Sequence, residues 1–391
     1  MRATLLTVLV GLPALADDVD TFIEQALKNV PELKAAQADV VAAQERVPQA
    51  QAWPDPMLQV GAQNDGFRRW QVGVNEMSWV SVMASQTIPF PGKTSGAVEA
   101  ARVTQAQTSV ERVRLSTIAQ VRRSVVALQL ARARLALLDA SRKVAEQGIA
   151  IAKVKLESGE GTQADVLRST VELGRLAQQE RRLEFDIAAA TQALNRLRGV
   201  KDAVGPLPAL ALPAPTLVAK EPAPELDAAQ ASKLEAEQQV SLAEKTALPD
   251  VSISAGVMVR GSLEPMWTVT VGAPVPVIGL GRRQHAIDEA RAMVTAAERR
   301  IETVSQQLDL ASTQRQSELE SLLQRHQLLL TLARDAEATT EATLSQYRIG
   351  KAPFGSVLEA NTAHLSIADE LLQVEAEAWL LHIAHDERVP S

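Results

Sequence analysis

No cysteine occurs anywhere in the chain. That excludes thiol catalysis, Cys-based zinc sites, disulfides and lipid attachment at an N-terminal cysteine. Aromatic residues make up only 3%, so packing must rest on Ala, Leu and Val, which suits close contacts between helices. A basic block is missing as well, and the net charge is −7. Without a face that can neutralise phosphates, nucleic acid is excluded as a partner. Past the N-terminus, no run reaches the roughly 18 apolar residues of a membrane-spanning helix. Catalytic signatures are lacking too. There is no HExxH and no GxSxG; "PGKT" (91–94) has Thr87 where a phosphate loop needs Gly, and "GLGRR" (279–283) is followed by Gln284 instead of a third fingerprint Gly. His382 and His385 lie one helical turn apart but are too few ligands for a metal site. The chain is expected to be no enzyme and to carry no cofactor and no resident metal.

What is present begins with "MRATLLTVLVGLPALADD": Arg2, an apolar run from Leu5 to Leu12, then Ala14-Leu15-Ala16 before two acids. This pattern predicts a secretory signal over residues 1–16. Behind it, 46% of the 391 residues are apolar, enough for a large buried core.

The chain then says everything twice. "PELKAAQA" (31–38) returns as "PELDAAQA" (224–231), "WPDP" (53–56) as "LPDV" (248–251), and "PFPGK" (89–93) as "PVIGLGR" (276–282). "EAAR" (99–102) is echoed by "DEAR" (288–291), and "SGEGTQADVL" (158–167) by "IGKAPFGSVL" (349–358). The period is far too long for a solenoid. Two structural repeats are expected, 17–204 and 225–391, joined by a proline-rich linker at 205–224 whose fixed φ angles keep it extended. Within each repeat the expected order is helix, strand pair, very long helix, tight turn, return helix. Between Gly96 and Glu157 there is no proline, and Gly148 is the only glycine. Val121, Val125, Leu128, Leu135, Leu138, Ala145, Ile149, Ala152 and Leu156 recur at coiled-coil spacing. Helices are predicted over about 95–157 and 283–348, returning over about 163–198 and 356–387. Gly159, Gly161, Gly350 and Pro353 supply the turns.

Four segments have the two-residue period of strands, within about 57–88 and 250–275. In "VSISAGVMV", Val251, Ile253 and Val257 face away from Ser252 and Ser254; in "WTVTVGA", Trp267, Val269 and Val271 face away from Thr268 and Thr270. Trp53, Phe67, Trp70, Trp79, Phe90 and Trp267 sit in or beside these strands, where aromatic girdles of membrane barrels lie. The valine, isoleucine and tryptophan set is thus the candidate lipid face, and the hydroxyl set the candidate lumen face. Bare sheet edges cannot face hydrocarbon, and four strands cannot close a barrel. Two copies would give eight strands filled by their own side chains; three would give twelve and leave a lumen.

With these residues in view, the sequence resembles the TolC family of trimeric outer-membrane efflux and secretion channels. The resemblance rests on the duplicated plan, on Tyr347, Gly350, Val357 and Leu358 at one turn, and on Gly159, Asp165, Val166 and Leu167 at the other. "ALNRLRG" at the end of the first return helix adds to it, and "QTIPFPGK" is similar to the metal-exporting branch. The resemblance implies a mainly α fold with membrane β: a homotrimer whose twelve-stranded barrel continues into a periplasmic α-helical barrel. It also implies a passive exit duct docked to a periplasmic adaptor (membrane fusion protein) and an inner-membrane pump, with an iris-like gate at the helical tips. By position, Asp165, Tyr347 and Glu359 are the gate candidates. Ser356 and Ala352 depart from the family's pattern. Thr162-x-x-Asp165 and Ser356-x-x-Glu359 also read as helix-capping runs. The competing readings are a soluble periplasmic coiled-coil adaptor or scaffold, and a type I secretion exit channel.

Overall fold

A computed structural model describes residues 16–217, 223–246, 248–274 and 280–387; the expected signal falls almost wholly outside them, as do 218–222 of the linker. In chain order the elements are α1 (Ala16–Asn29), α2 (Pro31–Gln51), β1 (Met57–Gln63), β2 (Trp79–Ile88), α3 (Gly96–Glu157), α4 (Gln163–Arg198), α5 (Pro224–Thr246), β3 (Val251–Arg260), β4 (Leu263–Gly272), α6 (Leu280–Arg348) and α7 (Phe354–Glu387). The duplicated order is as expected, except that among the described residues α1 has no counterpart in the second repeat. Both copies of "PEL" open a helix, with Pro31 and Pro224 in the first position, where a missing amide hydrogen costs nothing. The long helices run 62 and 69 residues.

Contacts divide the chain into two units, each assembled from both repeats. One unit holds 1–34, 111–223 and 306–391. Its helices α3, α4, α6 and α7 pack through small and branched residues, as the scarcity of aromatics requires. Phe22, Ile23, Ala26 and Val30 of α1 close one core with Val121, Val125 and Leu128 of α3 and Leu194 and Leu197 of α4. The Arg198 guanidinium stacks 4.2 Å from the Phe22 ring centroid, and burial lowers its pKa. Leu319, Leu322 and Leu329 of α6 meet Val374 and Ala378 of α7. Of the predicted seam on α3, Val121, Val125, Leu128, Leu138, Ala145 and Ala152 are buried. Leu156 is exposed, because the seam has reached the turn. The linker follows the helices: Trp379 Nε1 donates to Ala211 O at 2.5 Å, and Gln129 Nε2 to Pro208 O at 3.1 Å.

The other unit holds 35–110 and 224–305. It contains one four-stranded antiparallel sheet in the order β1-β2-β3-β4. The two hairpins, one from each repeat, are thus zipped together by β2 and β3, from Val80↔Val259 to Ile88↔Val251. At the helix end of that seam Lys93 Nζ donates to Asp250 Oδ2 (2.8 Å) and Leu248 O (3.0 Å), while the Phe90 N–H donates to Asp250 Oδ1 (3.0 Å). These bonds fix where strands become helices. β4 begins at Leu263, four residues before the alternation that is readable from Trp267, because Gly261 takes φ +64° and turns the chain with Ser262 alone. A side chain at 261 would meet Gly73 Cα at 2.4 Å, so the turn is also pressed against the 64–78 loop.

Candidate functional site

Two places carry the functional residues, one in each unit. In the sheet, alternation sorts side chains into two faces, and the register aligns them across all four strands. One row reads Val60, Val82, Val257 and Trp267; the next reads Leu58, Ala84, Ala255 and Val269. The opposite face places Ser85, Ser254 and Thr270 in one row, and Thr87, Ser252 and Gly272 in another. Exposure follows the reverse of a soluble protein's rule. Along β3, Val251, Ile253, Ala255, Val257 and Val259 are the exposed residues, and Ser252 and Ser254 are half-buried on the other side. Trp267, Val269 and Val271 are exposed on β4, with Thr270, whereas Thr268 is half-buried. A sheet turned oily side out loses tens of square ångströms of apolar burial per side chain, each square ångström worth ~25 cal/mol. In this sheet, β1 and β4 are paired on one side only. Arg260 reaches from the hydroxyl face to Glu264 O (3.0 Å) and Glu76 O (3.4 Å). The 64–78 loop is tied by Asn64, whose side chain donates to Gly66 O (2.7 Å) and Arg69 O (2.9 Å) and accepts from the Gln71 N–H (2.6 Å).

The second place is the pair of helical turns. Gly159 (φ +79°) and Gly350 (φ +76°) end α3 and α6 in the left-handed region that glycine enters without strain. The same two bonds close each end: Gly159 N–H to Leu156 O and Glu160 N–H to Lys155 O, then Gly350 N–H to Tyr347 O and Lys351 N–H to Gln346 O. Gly161 serves by its smallness, since a Cβ there would lie 2.9 Å from Lys155 Cβ. The starts of the return helices differ. Thr162 caps α4, its hydroxyl accepting from the Asp165 N–H (3.2 Å) and donating to Asp165 Oδ2 (2.8 Å). The corresponding reading for Ser356 does not hold, because α7 begins at Phe354 and leaves Ser356 inside the first turn.

Between the turns lies a small core of Ala152, Leu344, Tyr347, Phe354 and Val357. The Tyr347 and Phe354 rings sit 5.3 Å apart at 55°. Lys155 crosses from α3, its ammonium 4.5 Å from the Tyr347 centroid and donating to the Tyr347 carbonyl. Phe354 fills the space over Gly148, where a Cβ would meet its Cε2 at 2.7 Å. Burial pushes the Tyr347 phenol above its ordinary value, and the Asp165 charge adds to the shift. The Asp165 charge is therefore felt at Tyr347, while the Glu359 side chain stands exposed with no hydrogen bond or ion pair among the described residues. Lys155 and Phe354 were not among the sequence-predicted residues. Gly148, the only glycine in the interior of α3, was the available hint that something bulky approaches.

A model of the outer membrane efflux protein family matches residues 22–200 and 218–379. The chain is 24% identical over 297 residues to the nickel-cobalt-cadmium resistance protein NccC of Alcaligenes xylosoxydans xylosoxydans, covering 74% of this chain and 67% of that one. It is 26% identical over 318 residues to the nickel and cobalt resistance protein CnrC of Cupriavidus metallidurans, covering 78% and 74% respectively. Among solved structures, the outer membrane protein VceC of Vibrio cholerae shares the fold at a TM-score of 0.79 and 18% identity, covering 95% of this chain and 96% of that one.

Proposed function

The chain belongs to the outer membrane efflux protein family, and from that premise we propose that three copies close a twelve-stranded barrel around a central passage. The chain is an outer-membrane efflux duct that extends into the periplasm. The observation that carries the trimer is the sheet itself: on β3 the exposed side chains are the apolar ones, Trp267, Val269 and Val271 are exposed on β4, and among the described residues β1 and β4 are each paired on one side only. In hydrocarbon, each bare backbone amide costs several kcal/mol, so β4 of one copy must pair with β1 of the next. Three copies are favoured over two because on β3 and β4 the inner face is mostly small and polar, with Ser252, Ser254, Gly256, Thr268, Thr270 and Gly272 against Met258 and Met266, which suits a wet lumen better than a filled core. Val251, Ile253, Val257, Trp267, Val269 and Val271 then face lipid, and Ser252, Ser254, Thr268 and Thr270 face the lumen.

The duct itself uses no energy, and works with a periplasmic adaptor and an inner-membrane pump. The resistances named for NccC and CnrC support a metal cation as cargo. At the periplasmic tips, Asp165 and Glu359 form the gate, and Tyr347 holds the two turns of each copy together. Because the chain has no cysteine of its own, closure can be tested by disulfide mapping. Val269→Cys combined with cysteines scanned along 57–63 should yield cross-linked dimers and trimers in membranes. A ladder that stops at the dimer, or a chain that stays monomeric in the soluble fraction, sinks the trimer.

A further inference from the structure

The inner face of the sheet carries an unexplained set of large side chains. Of seven methionines in the chain, Met57, Met83, Met258 and Met266 lie one to a strand on β1, β2, β3 and β4, all on the hydroxyl face. The lipid face has none. The register arranges them as a staircase. Met57 pairs with Ser85, two residues from Met83 on β2; Met83 pairs with Gly256, two residues from Met258 on β3; Met258 pairs directly with Met266 on β4. Direct partners have Cβ atoms about 5 Å apart and diagonal ones about 7–8 Å, within reach of side chains as long as methionine.

Two further observations show how two of these side chains lie on the face. Met83 leans across onto Gly256, where a Cβ would collide with Met83 Cγ at 2.5 Å, so the glycine makes room for it beside Met258. Met57 Sδ accepts from Gln59 Nε2 at 3.2 Å, and Gln59 is the direct partner of Met83. A core position would explain such residues by packing, but this face is not a core. Beside the methionines it holds Ser81, Ser85, Thr87, Ser252, Ser254, Thr268 and Thr270, with Gln59, Gln63, Trp79 and three glycines, and an apolar side chain among so many polar groups gains little from burial there.

Thioethers are soft, uncharged donors that select soft d¹⁰ cations over nickel, cobalt and other borderline ions. We propose that Met83, Met258 and Met266, with Met57 as the lowest step, form a binding track for monovalent soft cations, Ag(I) and Cu(I), along the lumen wall. This rests on the reading of the chain as a duct and narrows its cargo. A track of weak neutral ligands holds the cation without trapping it, which a passage requires.

The probe is Ag(I), titrated in chloride-free buffer into the purified full-length assembly in detergent. Silver should bind with sulfur neighbours in X-ray absorption, and excess Ni(II) should not displace it. The combined Met83→Leu, Met258→Leu and Met266→Leu variant keeps side-chain volume and should lose more than about tenfold in affinity. Met293→Leu, on α6, should change nothing. A second measurement needs no variant: silver should slow peroxide oxidation of Met83, Met258 and Met266 to the sulfoxide, and leave Met293 unaffected. Silver binding without sulfur neighbours, or equal oxidation rates with and without silver, overturns the track. Failure of the duct is separately visible, since a chain that binds silver but never assembles in membranes removes the duct and leaves the site.

Discussion

Placing a charge on each face of β3 tests which side meets lipid. Val257 lies in the row with Val60, Val82 and Trp267, whose exposures are 50%, 70%, 47% and 78% in that order. Strands of ten residues, rising about 3.4 Å each and tilted roughly 40°, cover roughly the 25 Å of a barrel's apolar band. Val257 is then within one or two residues of the midplane. Arginine there should cost about 2–4 kcal/mol per chain, and so about 6–12 kcal/mol in a trimer. Ser254→Arg, on the other face between Ser85 and Thr270, should cost about zero to 1 kcal/mol because a wet lumen solvates the guanidinium. The assay is urea unfolding from lipid vesicles, read by Trp fluorescence and by the heat-modified trimer band on gels. Equal losses for the two variants, or a larger loss for Ser254→Arg, would refute the assignment of faces and with it the barrel.

Other outcomes follow from the tips. Asp165→Ala combined with Glu359→Ala should raise single-channel conductance in planar bilayers; unchanged conductance and cation preference would dismiss both residues as gate elements. Phe354→Ala should cost about 3–5 kcal/mol of local stability and Gly148→Ala about 1–3 kcal/mol by overpacking the same ring, both seen as faster amide exchange at 150–165 and 345–360 with the sheet unchanged. Tyr347 is the chain's only tyrosine, so its phenolate absorbance is unambiguous. Its raised pKa means that the folded tip favours the protonated phenol. The contribution is full below the unfolded value near 10 and is lost as pH rises through the folded one. Tip exchange should therefore quicken only in strong alkali, and Tyr347→Phe should remove that dependence.

The duplicated plan was legible because repeated motifs, proline placement and strand alternation are all local signals. Val251 to Val259 announced their alternation residue by residue, and Gly159 and Gly350 marked their turns by needing positive φ. What could not be read is what depends on partners distant in sequence. The joining of β2 to β3 leaves no trace in either strand, since an edge and an interior strand share one alternation. Lys155 sits in the last turn of α3, where a cation is common, and nothing local signals that its acceptor is the Tyr347 carbonyl, 192 residues away. Ser356 matched a capping pattern, but Pro353 started the helix early and took the cap position away. Leu263 to Met266 held too little alternation to separate strand from turn, and only the tight bend at Gly261 decides it.

The seam between the hairpins also sets an order of events during biogenesis. Phe90 and Asp250, which clamp its end, are 160 residues apart in sequence, and most of the chain between them folds into the other unit. At a ribosomal pace of roughly 5–20 residues per second, the first hairpin waits many seconds for its mate. During transit it carries a naked hydrogen-bonding border and a greasy flank through water, the combination most prone to clumping. Such a chain should need escorts that shield it before assembly, and loss of those escorts should deplete it sooner than proteins whose strands pair with near neighbours.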